Sequence, residues 1–192
     1  PPTGDSLARA GQNGAMPGGV LFVHNNFPAQ FRDLAQTLVA RGVATLAVGQ
    51  DHAGAMPGVR TARYALPRGT TPGIFPLAVR AEADLIRGRA AHDAARALKL
   101  EGWEPQVIVG HPGWGEMTYL GDLFPKARQV AFAEFWYHAR GYDVGFDPEF
   151  FTDDDPEQDF RVHAKNAVMA LSYAAADAIV APTEFQATAL PR

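Results

Sequence analysis

Val107-Ile108-Val109-Gly110-His111-Pro112-Gly113-Trp114-Gly115-Glu116 is a short apolar run that ends abruptly in glycine, proline and ionisable residues. Four apolar residues in a row fit a strand buried on both faces, and Met117 to Phe124, before Pro125, reads as a short helix. The motif from His111 to Glu116 then lies where a strand ends and a helix begins. Unpaired N–H groups and a positive helix end at such a place attract phosphate or carboxylate. The glycines there admit a ligand close to the backbone, and His111 and Glu116 are the two side chains able to move protons.

The same alternation of apolar strand and amphipathic helix runs outward in both directions. Gly19 to His24 is a strand that ends in Asn25-Asn26-Phe27-Pro28, where Asn26 is the expected N-cap of a helix carrying Phe31, Leu34, Ala35 and Leu38 up to Gly42. Val43 to Val48 is a second strand, and this strand-helix-strand unit has a right-handed crossover. Val59 to Leu66 is a third, less buried strand, followed by a helical region from Ile74 to Leu100. On the far side, Gln129 to Phe135 is a fifth strand. Phe160, Ala164, Ala167, Leu171 and Ala174 mark the expected buried stripe of another helix, and Ala178 to Ala181 is a sixth strand before Pro182-Thr183-Glu184-Phe185 opens a last helix. The stretch from His138 to Pro156 has no period but carries Tyr142, Phe146, Phe150 and Phe151, as a docking lid does. The fold expected is α/β: a doubly wound, mostly parallel Rossmann-like sheet of about six strands flanked by helices, in the order 3-2-1-4-5-6. Residues 1–18 read as a flexible tail, in which Met16 is a candidate natural start behind vector residues, and residues 19–192 as one domain.

Composition narrows the classes of function. A hydrophobic fraction of 47% supports a sizeable core, the absence of cysteine excludes disulfides and cysteine metal sites and suits a reducing cytoplasm, and a net charge of −4 without a basic run argues against nucleic acid as a partner. No apolar stretch approaches the ~20 residues of a membrane span, so a soluble protein is expected, with peripheral membrane contact left open. The first strand is followed by His-Asn-Asn and not by a Gly-x-Gly-x-x-Gly turn, so no dinucleotide cofactor is expected. Walker, Gly-x-Ser-x-Gly and His-Glu-x-x-His patterns are missing too. Asp153 to Asp155 suits a solvated helix start better than a metal site, and no metal centre is indicated.

In such a sheet, ligands bind beyond the carboxyl ends of the strands, where the strand order reverses. Here that point lies between strands one and four, so His24, Asn25 and Asn26 are expected to meet the 111–116 motif, with Glu134, Phe135, Trp136 and Tyr137 arriving from strand five. Each has a plainer reading. A single histidine at a strand end is more often a hydrogen-bonded structural residue, Glu116 serves equally well as first-turn charge, and Trp114, Trp136 and Tyr137 as packing residues with exposed edges. Glu134, at the end of an apolar strand, needs a partner or ligand to justify its burial.

Taken together, His111 to Glu116, Phe124-Pro125, the Glu134-Phe135 strand end, Lys165-Asn166-Ala167, Ala176 to Gln186, and His24 to Phe31 resemble the N-terminal domain of family 4 retaining glycosyltransferases. The resemblance covers about residues 19–192. It implies a GT-B enzyme of two Rossmann-like domains, the first binding the acceptor and the second, which would follow Arg192, the nucleotide-sugar donor. Such enzymes need no divalent metal, and the nucleotide sugar is a substrate, so no cofactor is implied. By resemblance and position, His111 is the candidate catalytic contact. Gly113, Trp114, Gly115 and Glu116 are candidates to touch phosphate or sugar. His24, Asn25, Asn26, Glu134 and Tyr137 are candidates to shape the pocket of a carbohydrate or lipid-linked acceptor. The alternatives are a stand-alone, non-catalytic carbohydrate- or protein-binding module and half of a nucleotide-sugar epimerase.

Overall fold

The computed structural model describes residues 18–144, 147, 149 and 156–191. Apart from Gly18, the expected tail lies outside these residues, as do Phe146, Phe150, Phe151 and Asp153 to Asp155 of the expected lid. Six strands form a single all-parallel sheet: β1 (Val20–Val23), β2 (Thr45–Gln50), β3 (Arg60–Tyr64), β4 (Val107–Gly110), β5 (Arg128–Phe132) and β6 (Ala178–Val180). Their order is β3-β2-β1-β4-β5-β6, the doubly wound arrangement read from the sequence. The helices are α1 (Arg32–Ala40), α2 (Val79–Leu100), α3 (Leu120–Leu123), α4 (Gln158–Ala175) and α5 (Glu184–Ala189).

The period-2 geometry of a strand explains how β1 serves two cores at once. Leu21 and Val23 face the layer of α2, where they meet Val48, Ala91, Leu98, Ile108 and Leu120. Phe22 points the other way, to Phe27, Phe31, Ala35, Ala47 and Met56 beneath α1. A third cluster under α4 joins Ala131, Ala133, Met169 and Tyr173, and α4 lies beside α2. Among the described residues no helix is long and apolar enough to cross a membrane.

Three local expectations are corrected. Asn26 caps no helix. Its N–H donates to its neighbour His24 Nδ1 at 3.0 Å, Phe27 is drawn fully into the core, and the chain makes a turn and a short 3-10 segment (Ala29–Phe31) before α1 starts at Arg32. The helix after the motif is only the four-residue α3, preceded by a 3-10 turn over Pro112–Trp114, so the motif does not open a helix of its own. Finally, α4 turns a different stripe inward: Val162, Asn166, Met169 and Tyr173 are buried, whereas Phe160 and Leu171 of the expected stripe are each 55% exposed.

Candidate functional site

Parallel pairing of β1 with β4 sets Val23 level with Gly110, so the two strands end side by side and their loops leave the sheet together. The His24 and His111 rings meet there edge to face, with centroids 5.7 Å apart and planes at 67°. The convergence expected from topology is therefore present.

Each imidazole is fixed by its own loop. His111 is 6% exposed, and its Nδ1 accepts the Gly113 N–H at 3.1 Å, capping the 3-10 turn. That bond leaves the proton on Nε2, which lies 3.1 Å from Glu134 Oε2 and donates to it. Gly113 is required for this packing, since a Cβ there would stand 2.5 Å from His111 Cε1. The glycine thus admits the imidazole of its own loop. His24 is oriented by the Asn26 N–H on Nδ1, which likewise places its proton on Nε2.

Burial lowers both histidines to about 4, His24 further disfavoured by His111. Near neutral pH the crevice thus offers two uncharged imidazoles whose Nε2–H groups donate hydrogen bonds. Glu134 is 36% exposed at its side chain and reachable from the opening. Beyond it, Asn166 clamps the chain at Tyr137, accepting the Tyr137 N–H at 3.1 Å and donating to the Tyr137 carbonyl at 2.8 Å. The Phe135 and Tyr137 rings stack at 5.6 Å, and the Tyr173 hydroxyl donates to the Phe135 carbonyl at 2.9 Å. Tyr142, the described aromatic of the expected lid, stacks on Phe185 at 4.6 Å.

The rest of the motif faces α2. Gly115 has φ +90° and lies where a Cβ would collide with the Asp84 carbonyl at 2.2 Å. Glu116 is 1% exposed and accepts a hydrogen bond from the Tyr64 hydroxyl at 2.8 Å. Gly115 therefore packs against α2, and Glu116 against Tyr64 at the end of β3. Trp114 is part-exposed, with the guanidiniums of Arg80 and Arg87 5.1 and 5.7 Å from its ring.

Those two arginines belong to a cluster the sequence reading missed. Buried Asp84 accepts from Arg80 Nε at 2.8 Å and from Arg87 Nη1 at 3.3 Å. In turn Arg80 donates to the Gly113 carbonyl and Arg87 to the Trp114 carbonyl. The signal was Arg80-x-x-x-Asp84-x-x-Arg87, spacing that sets three charges on one helix face.

Glu116 gives the fold a pH dependence of definite sign. Burial pushes its carboxyl up to about 7 from 4.5, against the bond from Tyr64. The folded chain therefore keeps a proton that the unfolded chain releases, and the stability this group contributes is complete below 4.5 and lost as pH rises through about 7. The histidines act oppositely: with folded values near 4 against 6.5, they withdraw stability as pH falls through that interval. Glu116→Gln is expected to gain stability relative to the parent as pH rises from about 5 to about 8, by on the order of 3 kcal/mol at most. Thermal melts across pH measure the gap, and a gap that does not change with pH would show that Glu116 does not titrate there.

Among the described residues no group of three His, Asp or Glu is placed to hold a metal ion. In comparisons with known proteins, the sequence profile described as "Glycosyl transferase family 4 group" matches residues 41–192. No curated protein sequence matches the chain significantly. Among solved structures, Os79 from O. sativa in complex with UDP aligns at 14% identity and TM-score 0.51 over 85% of this chain and 46% of its own. A UDP-glucose: anthocyanidin 3-O-glucosyltransferase in complex with UDP aligns at 10% and 0.52 over 87% and 47%. A UDP-glucosyltransferase from Polygonum tinctorium aligns at 13% and 0.50 over 88% and 46%. At these identities the likeness is one of fold, and the chain spans about half the length of the structures it matches.

Proposed function

Because the chain belongs to the glycosyl transferase family 4 group, we propose that it is the N-terminal, acceptor-binding half of a retaining glycosyltransferase that moves a sugar from a nucleotide-sugar donor to an acceptor hydroxyl. The observation that carries this reading is the meeting of His24, His111 and Glu134 at the strand-order reversal. In doubly wound sheets that is where ligands lie. A nucleotide sugar as donor is supported by the UDP held by two of the structural neighbours. Residues 19–192 act as one Rossmann-like domain, and the donor is bound mainly by a second domain following it. Alone, this half does not turn over substrate. A chain without cysteine suits action in the cytoplasm.

Transfer of this kind works by positioning the acceptor and stabilising charge as the diphosphate leaves. A neutral His111, held in line by Gly113 behind it, contributes its Nε2–H, which Glu134 accepts in this structure and gives up as the carboxylate swings aside for substrate. His24, Asn25 and Asn26 line one side of the acceptor pocket, with Glu134 and Tyr137 on the other. Gly113 and Trp114 border the opening on the phosphate and sugar side.

The test is a transfer assay on the full-length protein with a panel of nucleotide sugars, reading the anomeric configuration of the product by NMR. Transfer with retention is the expected result. Inversion would overturn the retaining reading, and release of a free epimerised sugar would replace transfer by epimerisation. Failure of the whole panel, with carbohydrate binding intact, would favour a binding module.

A further inference from the structure

Lys165 belongs to a motif singled out in the sequence, and the crevice described above leaves it without a role. Its ammonium lies 3.3 Å from the centroid of the Tyr137 ring. Among the described residues it enters no ion pair. Burial and the nearby Arg80 charge hold it below its ordinary pKa, countered in part by Asp143. A half-buried cation with a second cation beside it is costly to keep unless something anionic completes the arrangement.

A cleft of about 490 Å³ opens against this ammonium, between the start of α2 and the first turns of α4. Its floor is apolar, with Leu77, Val79 and Ala83, and among the described residues its charged lining is Arg80, Arg161 and Lys165 with the carboxylate of Glu157. Arg161 and Glu157 approach to 4.0 Å, and Arg80 shares the one carboxylate of Asp84 with Arg87, which leaves a positive excess beside Lys165. Arg80 and Lys165 also touch the crevice, the first through the Gly113 carbonyl and the second through the Tyr137 ring. Cleft and crevice therefore share a wall.

We propose that this cleft seats the anionic group of the acceptor together with the apolar part adjoining it, the anion resting on Lys165 and Arg80 and the apolar part on Leu77, Val79 and Ala83. The inference rests on the acceptor-side reading given above. It narrows the acceptor to an amphipathic molecule bearing a phosphate or carboxylate, whether a lipid headgroup or a dissolved amphiphile. The ammonium and a guanidinium give charge-assisted hydrogen bonds, and the aliphatic floor favours removal of alkyl surface from water.

Titration calorimetry of the chain with octyl phosphate, octyl glucoside and inorganic phosphate tests this. Octyl phosphate is expected to bind about tenfold more tightly than either other probe, the equivalent of one charge-assisted hydrogen bond. Lys165→Gln is expected to erase that preference and Lys165→Arg to keep it. Equal affinity for octyl glucoside would overturn the anion site, and equal affinity for inorganic phosphate would overturn the apolar part. The preference is measured in the parent chain, so the result does not depend on a variant folding. Vesicles of phosphatidylcholine with and without phosphatidic acid separate the two sources. Capture that needs phosphatidic acid assigns a lipid headgroup, and binding of octyl phosphate without capture assigns a dissolved amphiphile, each upholding the proposal. If the transfer assay fails while octyl phosphate binds selectively, the acceptor reading falls and the anion site stands. If transfer proceeds and octyl phosphate does not bind selectively, this inference alone falls.

Discussion

Replacing His111 by asparagine in the full-length protein is expected to lower sugar transfer about 100-fold, the typical cost of removing one preorganised donor at a site of developing charge. The melting temperature should stay within about 2 °C of the parent, since less than 1 kcal/mol is at stake. Asparagine is chosen because it separates the two roles of the imidazole. Its carboxamide oxygen stands near the position of Nδ1 and can accept the Gly113 N–H, preserving the cap of the Pro112–Trp114 turn. The shorter side chain falls short of Glu134, which His111 Nε2 reaches at 3.1 Å. Steady-state transfer rates and thermal melts on the same samples decide the matter. Full activity in His111→Asn would remove His111 from the reaction, whereas lost activity with an equally lowered melting temperature would make it a structural residue.

A second large effect belongs to Asp84→Ala. Asp84 is 2% exposed and burial raises its pKa in spite of two guanidinium partners, so much of the attraction is spent against the cost of removing charge from water. Deleting the carboxylate leaves that cost with the arginines, both of which are largely sheltered at 31% and 16% side-chain exposure. Loss of one member of a buried ionic cluster costs about 3–5 kcal/mol, a drop of roughly 10 °C in melting temperature for a domain of this size. Asp84→Asn, which keeps the shape and an acceptor oxygen, should lose less. Since Arg80 and Arg87 hold the Gly113 and Trp114 carbonyls, the alanine variant should also speed amide exchange across the Pro112–Trp114 turn. An unchanged melting temperature would mean that the backbone carbonyls alone satisfy both guanidiniums.

The strand order was legible because the central strands are uninterrupted apolar runs with turn residues on either side, and because a parallel sheet of strand-helix units admits few orders. From that order the pairing of Val23 with Gly110 followed, and with it the meeting of His24 and His111. What could not be read has specific causes. The α4 helix carries two stripes of suitable period, one through Phe160 and Leu171 and one through Val162, Met169 and Tyr173. The first has the bulkier ends, but the second contains Asn166, whose bonds to the Tyr137 backbone fix the rotation of the helix. The helix expected after the motif was read too long because hydropathy does not distinguish a full helix there from a 3-10 turn and a four-residue helix. The Arg80, Asp84 and Arg87 group was passed over because charges on a helix ordinarily mark its wet side.

The two histidines follow strands joined in space yet far apart along the polypeptide, for Val20 pairs with Val107. Closing so long a loop carries a larger entropic cost than zipping neighbouring segments, and contacts of that span tend to form slowly. A chain that has assembled β1 with β2, and separately β4 with β5, owns every residue of the crevice but not the crevice itself. Ring-to-ring contact between His24 and His111, followed by NMR during refolding, would therefore serve as a clock for completion of the whole sheet.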